Sequence, residues 1–286
     1  MIAEISEITF SAASRLAYQN TGVPQKTADS QLRRFLKTRC SFGAVYQDLA
    51  TGQVLGVITG LILTQTQVYN FVKAEEPFLH NWLEKADSSS GFGAADSLIC
   101  SQESQYLWIG HFAWESSISL EVSETVRIGL SDRFVSVYSG LNIVGILCET
   151  HGEVLKALAS SAGFKPFVCY QDWDLKYVQH HLMILTKDSA TESQNMQLLK
   201  MFQYRPRRLK FSLAEVEVLR EALSFDELQN DKKSCRKKSS TDAAWRRIFE
   251  KFRVISNYND GITRQAVLSY VRLHPWELWV TFNGET

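Results

Sequence analysis

FGAVYQDLATGQVLGVITGLIL, residues 42–63, carries two runs of β-favouring residues on either side of a turn at residues 48–52. Asp48 and Gly52 supply turn chemistry between them, so the stretch predicts a long antiparallel hairpin. Its second half, VLGVITGLIL (residues 54–63), is apolar on both faces. At ten residues with two glycines it is about half of what a bilayer span needs, so it predicts a strand covered on both sides. A hairpin of this kind belongs to a sheet with helices packed on it, and the flanking sequence supplies those layers.

Two helical patterns precede the hairpin. They lie at residues 9–19 and 24–39, the second with Pro24 in its first turn and Leu32, Phe35 and Leu36 on one face. After it come a short helix (71–85), a loop rich in Ser and Gly (87–96) and a strand, YLWIGHFAWE (106–115). Val122, Val126, Leu130, Phe134 and Tyr138 then recur every four residues, which predicts an amphipathic helix ending near Gly140. LNIVGILCE reads as a buried strand, HGEVLKALASSAGF as a helix stopped by Gly163, and FVCYQDW as a further strand. The order predicts an α/β domain built on a mixed sheet.

Several function classes fall away on composition. The 286 residues carry no credible transmembrane helix and no signal-peptide pattern, and the expectation is a cytoplasmic protein that does not engage membranes. Cys40, Cys100, Cys148, Cys169 and Cys235 are odd in number and never spaced as CxxC, which predicts reduced thiols and no zinc site. His111 with Glu115, His180 with His181, and Asp172 with Asp174 have a chemical look. On strands, however, they alternate or diverge, and the reading is rim or satisfied core residues with no metal site. Trp108 and Trp114 read as packing or pocket-lining residues.

The helix, hairpin, strand, helix, strand, helix order, closed by EVLKALASSAGFKPF, resembles the GNAT acyltransferase superfamily over residues 1–185. In that family a Gly-rich segment at a helix N-terminus cradles the pyrophosphate of acyl-CoA. The matching segment is VRIGLS, which makes Gly129 and Ser131 candidate ligand-binding residues and acyl-CoA the cofactor that the resemblance implies. Val126 stands where the family has Gln or Arg. Ala159 stands where it has a proton-donating Tyr, and a methyl group cannot protonate a thiolate. No residue stands in a catalytic role, and the domain is expected to have lost catalysis and to serve as a sensor or assembly unit.

Residues 186–208 read as a linker and connecting helix, and residues 209–286 as an all-α domain. Cut after Asn195, the chain has 14 basic and 20 acidic residues before the cut and 17 and 11 after it. FSLAEVEVLREALSFDELQ opens the second domain with a capping box, Ser212 and Glu215, and an apolar stripe of Leu213, Val216, Leu219 and Leu223. A short second helix (225–229), a basic turn, a third helix from Ser239 or Ser240 with Ala244, Ile248 and Phe252 on one face, and a fourth after Gly261 complete the order. SLAEVEVLREAL, IFEKFRV and TRQAVLSYV resemble the LuxR-type helix-turn-helix domains.

That resemblance implies a transcription regulator that binds double-stranded DNA as a homodimer, with a small-molecule or protein effector at the first domain. Lys232, Lys233, Arg236, Lys237 and Lys238 would attract the phosphate backbone. Ser240, Thr241, Arg246, Arg247 and Lys251, on the recognition helix, would orient it in the groove or contact bases, and Asp242 is an unusual acid there. Two alternatives stand beside it: an acyl-CoA-dependent N-acyltransferase, and an interaction protein whose basic segment docks on an acidic partner.

Overall fold

In the computed structural model, residues 1–19, 23–37, 41–73, 104–170, 180–206, 208–227, 238–256 and 261–278 are described. A seven-stranded sheet runs in the order β1-β2-β3-β4-β5-β7-β6. Its strands are β1 Ile2–Glu4, β2 Ser41–Gln47, β3 Val54–Thr64, β4 Gln105–Trp114, β5 Ile143–His151, β6 Lys165–Tyr170 and β7 His180–Leu185. The hairpin forms as predicted, with Ser41 opposite Leu61 and Val45 opposite Val57. β3 is buried from Val54 to Leu63 because helices cover both of its faces.

On one face lie α1 (Phe10–Ala17) and α2 (Gln25–Lys37); on the other lies α4 (Leu120–Tyr138), with α3 (Gln65–Lys73) between β3 and the undescribed residues 74–103. Ser119 caps α4, its Oγ accepting the Val122 N–H. The helix therefore starts two residues earlier than the stripe suggested. Val126, Leu130, Phe134 and Tyr138 are buried, but Val122 is exposed and Ser123 takes its place in the stripe.

The glycines of β3 make the approach of α4 possible. A Cβ on Gly60 would lie 2.5 Å from the Phe134 ring and 2.8 Å from the Tyr138 ring, both fully buried. Gly60→Ala is expected to cost about 2 kcal/mol, the usual penalty of overpacking a closed core, read as a lowered denaturation midpoint. An unchanged midpoint would mean that α4 can withdraw from the sheet.

β1 and β7 were not foreseen: β1 has three residues, and β7 opens on a His pair that hides its apolar pattern. α5 (Gly152–Ser161) follows β5, and Gly163 ends its turn with φ +97°. Within residues 186–208, expected as a linker, α6 (Lys187–Glu192), α7 (Met196–Leu199) and a 3-10 turn pack on the sheet domain. Ala190 and Met201 are buried in its core.

A separate apolar core joins α8 (Leu213–Glu227), α9 (Lys238–Ser256) and α10 (Arg264–Leu273) through Val216, Leu219, Trp245, Ile248, Phe252 and Val267. The capping box forms: the Ser212 N–H donates to Glu215 Oε2 at 2.7 Å, and the Glu215 N–H points to Ser212 Oγ at 3.4 Å. The short second helix does not form as a separate element at its start, since α8 runs unbroken to Glu227. Glu277, also buried, accepts the Arg208 and Leu209 N–H groups and pins the chain where it enters this bundle.

Candidate functional site

β4 and β5 are the parallel neighbours of the sheet. Their ladder pairs Gln105 with Ile143 and ends where Ile109 meets Cys148. Beyond that point β4 continues to Trp114 beside β3, while β5 continues to His151 beside β7. A bulge at Gly110, between the pairs Gly60–Ile109 and Thr59–His111, bends β4 at the same level. The two strands therefore part into a V. The β4 arm, residues 110–114, spans roughly 16 Å at ordinary strand rise.

Such a parting leaves backbone hydrogen-bonding groups beside an opening at the carboxyl ends of two parallel strands, where ligands of α/β folds bind. Alternation of the strands assigns the side chains. Gly56 and Gly60 face α4, so Phe112 and Trp114 of β4 share that face; Cys148 and Thr150 of β5 and His181 of β7 follow by register. The Arg127 guanidinium of α4 stands 5.5 Å from the centre of the Trp114 ring. Burial pushes the Cys148 thiol up to about 12, so it stays protonated and unreactive near neutrality.

His111, Glu149 and His180 lie on the opposite, α1–α2 face. His111 Nδ1 is 2.9 Å from Thr59 Oγ1, and its ring sits against Tyr18 at 4.7 Å. Glu149 and His180, diagonal neighbours across the β5–β7 ladder, pair at 3.2 Å with side chains only 8% and 5% exposed. Glu115, at the end of the β4 arm, is held by Arg15 of α1. The expectation that His111 and His180 are satisfied residues agrees with these contacts. The buried carboxylate beside His180 was not foreseen, although the polar residues closing LNIVGILCET were its only signal in the sequence.

Gly129 and Ser131 sit in the middle of α4, with Gly129 facing Ile2 and Tyr46 at the β1–β2 edge. The unladdered N–H groups of α4 are ten residues earlier, around Ser119, where Glu121 also lies in the first turn. Val126 packs beneath the helix against Gly56, and Ala159 rests on the sheet core. Asp172 and Asp174 lie outside the described residues. No group of His, Cys, Asp and Glu fit to hold a metal occurs among the described residues, and no described helix is long and apolar enough to cross a membrane.

In the bundle, Lys232, Lys233, Arg236 and Lys237 lie outside the described residues. Lys238, Ser240 and Thr241 form the first turn of α9, and Arg246 is exposed. Arg247 and Lys251 stay partly exposed but reach the buried Glu215 carboxylate, at 3.3 and 2.7 Å, and Lys251 also donates to the Lys210 carbonyl at 2.6 Å. Asp242 pairs with Arg264, whose guanidinium lies 5.0 Å from the centre of the Trp245 ring.

No protein-family profile and no curated protein matches the chain. Solved structures do. Ard1 from Thermoplasma volcanium is similar at 14% identity and a TM-score of 0.39, over 65% of this chain and 96% of that one. FeeM, an N-acyl amino acid synthase from uncultured soil microbes, is similar at 12% identity and 0.41, over 71% and 97%. Aminoglycoside 6'-acetyltransferase type Ii is similar at 10% identity and 0.39, over 65% and 96%.

The expected DNA-binding regulator is corrected at this point. Of the three similar solved structures above, two are named as an N-acyl amino acid synthase and an aminoglycoside acetyltransferase, and none is named as a DNA-binding regulator. Two cations assigned to DNA, Arg247 and Lys251, are engaged within the bundle as counter-charges of Glu215. A basic helix of this sequence looks like a recognition helix because charge on a helix face reads the same whether it meets phosphate or a buried carboxylate.

Proposed function

We propose that the sheet domain transfers an acyl group from an acyl thioester, of the acyl-CoA class, to an amine bound on the other side of the sheet. The observation that carries this reading is the parting of β4 and β5 after Ile109 and Cys148. An extended donor arm bearing amides fits such an opening, since strand edges hydrogen-bond to amides as they do to a neighbouring strand. The N–H groups of α4 near Ser119 suit its phosphates, while the Glu121 carboxylate in the same turn does not add to that fit.

Acyl-CoA would supply the activated carbonyl. On the α1–α2 face, the Glu149–His180 pair is the group suited to take a proton from the incoming amine. As the amine nitrogen bonds to the carbonyl carbon, the C–S bond breaks and the thiolate leaves; with Ala159 lacking a hydroxyl, water returns its proton. The proton and the acyl carbon thus meet this chain from opposite faces of one sheet.

Calorimetric titration of the full chain with coenzyme A tests the reading, followed by a thiol-release assay with an acyl-CoA and a panel of primary amines. Saturable micromolar binding and amine-dependent thiol release are expected. Absence of binding at millimolar coenzyme A would overturn it.

A further inference from the structure

α5 packs on β5 and β7, yet its amphipathic pattern is reversed. None of its residues is fully buried, and the seam it turns to the strands is Gly152, Lys156 and Ala159, spaced about one turn apart. Val154, Leu155 and Leu158 face outward instead, 75%, 45% and 52% exposed. The solvent side of a surface helix ordinarily carries several charges, whereas Glu153 is the single charged residue among the exposed residues of α5. The three apolar side chains together expose roughly 300 Å2, a patch of the size that monomers keep for an interaction.

The shape of this face says what it fits. Val154 and Leu158, four residues apart, form a raised row, and Ala157 and Ser161, also four apart, form a low row beside it. Packing of helix ridges into grooves is thus satisfied by two copies of the same sequence, the raised row of each lying in the low row of the other. The charges are arranged in the same sense. Glu153, 69% exposed, stands at the amino end of α5, and Lys165, 60% exposed, follows its carboxyl end. Their partners within the chain, Lys156 at 3.4 Å and Glu192 at 2.7 Å, form exposed pairs of the kind that holds a side chain only weakly. A two-fold axis across the middle of α5 would lay two copies antiparallel and turn Glu153 of each toward Lys165 of the other. It would also oppose the two helix dipoles. A face that matches itself in both relief and charge has what a symmetric contact between identical chains requires, and a different protein would need neither match.

We propose that the outer face of α5 is a docking surface for a second copy of this chain, with the two helices antiparallel about a two-fold axis. The contact is smaller than the ~800 Å2 per partner of a standard interface, so the dimer is weak, with a dissociation constant on the order of 10 µM. The inference is independent of the acyltransferase reading.

Sedimentation velocity of the full chain, from about 1 to 200 µM, tests it, since a weak dimer responds to concentration. A monomer–dimer equilibrium is expected, and Leu158→Glu is expected to abolish it across that range. Dilute Leu158→Glu is expected to melt at the wild-type temperature, because the side chain it alters is half exposed in the single copy. Glu153→Lys and Lys165→Glu each set like charges at both ends of the contact, and each is expected to weaken the dimer about tenfold. An equimolar mixture of these two variants restores opposite charges at both ends and is expected to associate as tightly as wild type, at about 0.15 M salt where long-range attraction is screened. A wild type that stays monomeric throughout would overturn the proposal, as would a Leu158→Glu variant that dimerises normally. A lower melting temperature for Leu158→Glu would overturn it too, by placing that side chain in the packing of its own chain. A mixture no tighter than its components would overturn the antiparallel pairing.

Discussion

Glu149→Gln is expected to lower kcat for acyl transfer by roughly 10²- to 10³-fold, the usual contribution of a positioned general base, with KM for the thioester nearly unchanged. The change keeps the size of the side chain and one oxygen facing His180, 3.2 Å away, so the sheet can close as before. It removes the negative charge that stabilises an imidazolium once His180 has taken the proton. The pair lies on the face opposite α4, so its loss leaves the proposed thioester side untouched. The split between kcat and KM separates the roles. A fall in melting temperature with kcat intact would make the pair a structural ion contact, and a rise in KM alone would place it in binding.

How far the sequence carried the fold follows from what each signal measures. The hairpin at 42–63, the apolar stripe of α4 and the Gly163 stop were legible because period and turn chemistry are local properties. Whether Gly60 lay in a bulge or under a helix was not local, since it depends on Phe134 and Tyr138 arriving from 74 and 78 positions away. The site was less legible for the same reason. Nothing in YLWIGHFAWE or LNIVGILCE states that the two strands pair for five residues and then separate. His180 and His181 stood out as residues, yet their opposite surroundings, one paired with Glu149 and one without a hydrogen-bond partner among the described residues, follow from alternation and from the register with β5. The VRIGLS segment that resembles a Gly-rich phosphate loop holds Gly129, a position where glycine serves the packing of α4 against Ile2 and Tyr46.

Glu215→Ala is expected to destabilise the C-terminal bundle by about 3 kcal/mol, seen as a separate early transition in thermal or urea unfolding. Removing one partner of a buried ion pair leaves the others uncompensated, and here one carboxylate serves three. Arg247 and Lys251 lose their counter-charge, and the Ser212 N–H loses its cap. Both cations are partly exposed and regain water, which keeps the loss at the lower end for buried pairs. The wild-type bundle should show the same dependence in acid. Burial pushes the Glu215 carboxyl up, but the hydrogen bonds from Lys251 and Ser212 and the Lys251 charge together outweigh it, and the folded carboxyl titrates below its ordinary value. A depressed folded value means the stabilisation is present above the ordinary carboxylate range, about pH 4, and is lost as pH falls through the folded value. Stability of the wild-type bundle should therefore drop below about pH 4, and the Glu215→Ala variant should lack that step. An acid limb of equal depth in the two proteins would assign the loss to other carboxylates and leave Arg247 and Lys251 available for a partner outside the bundle.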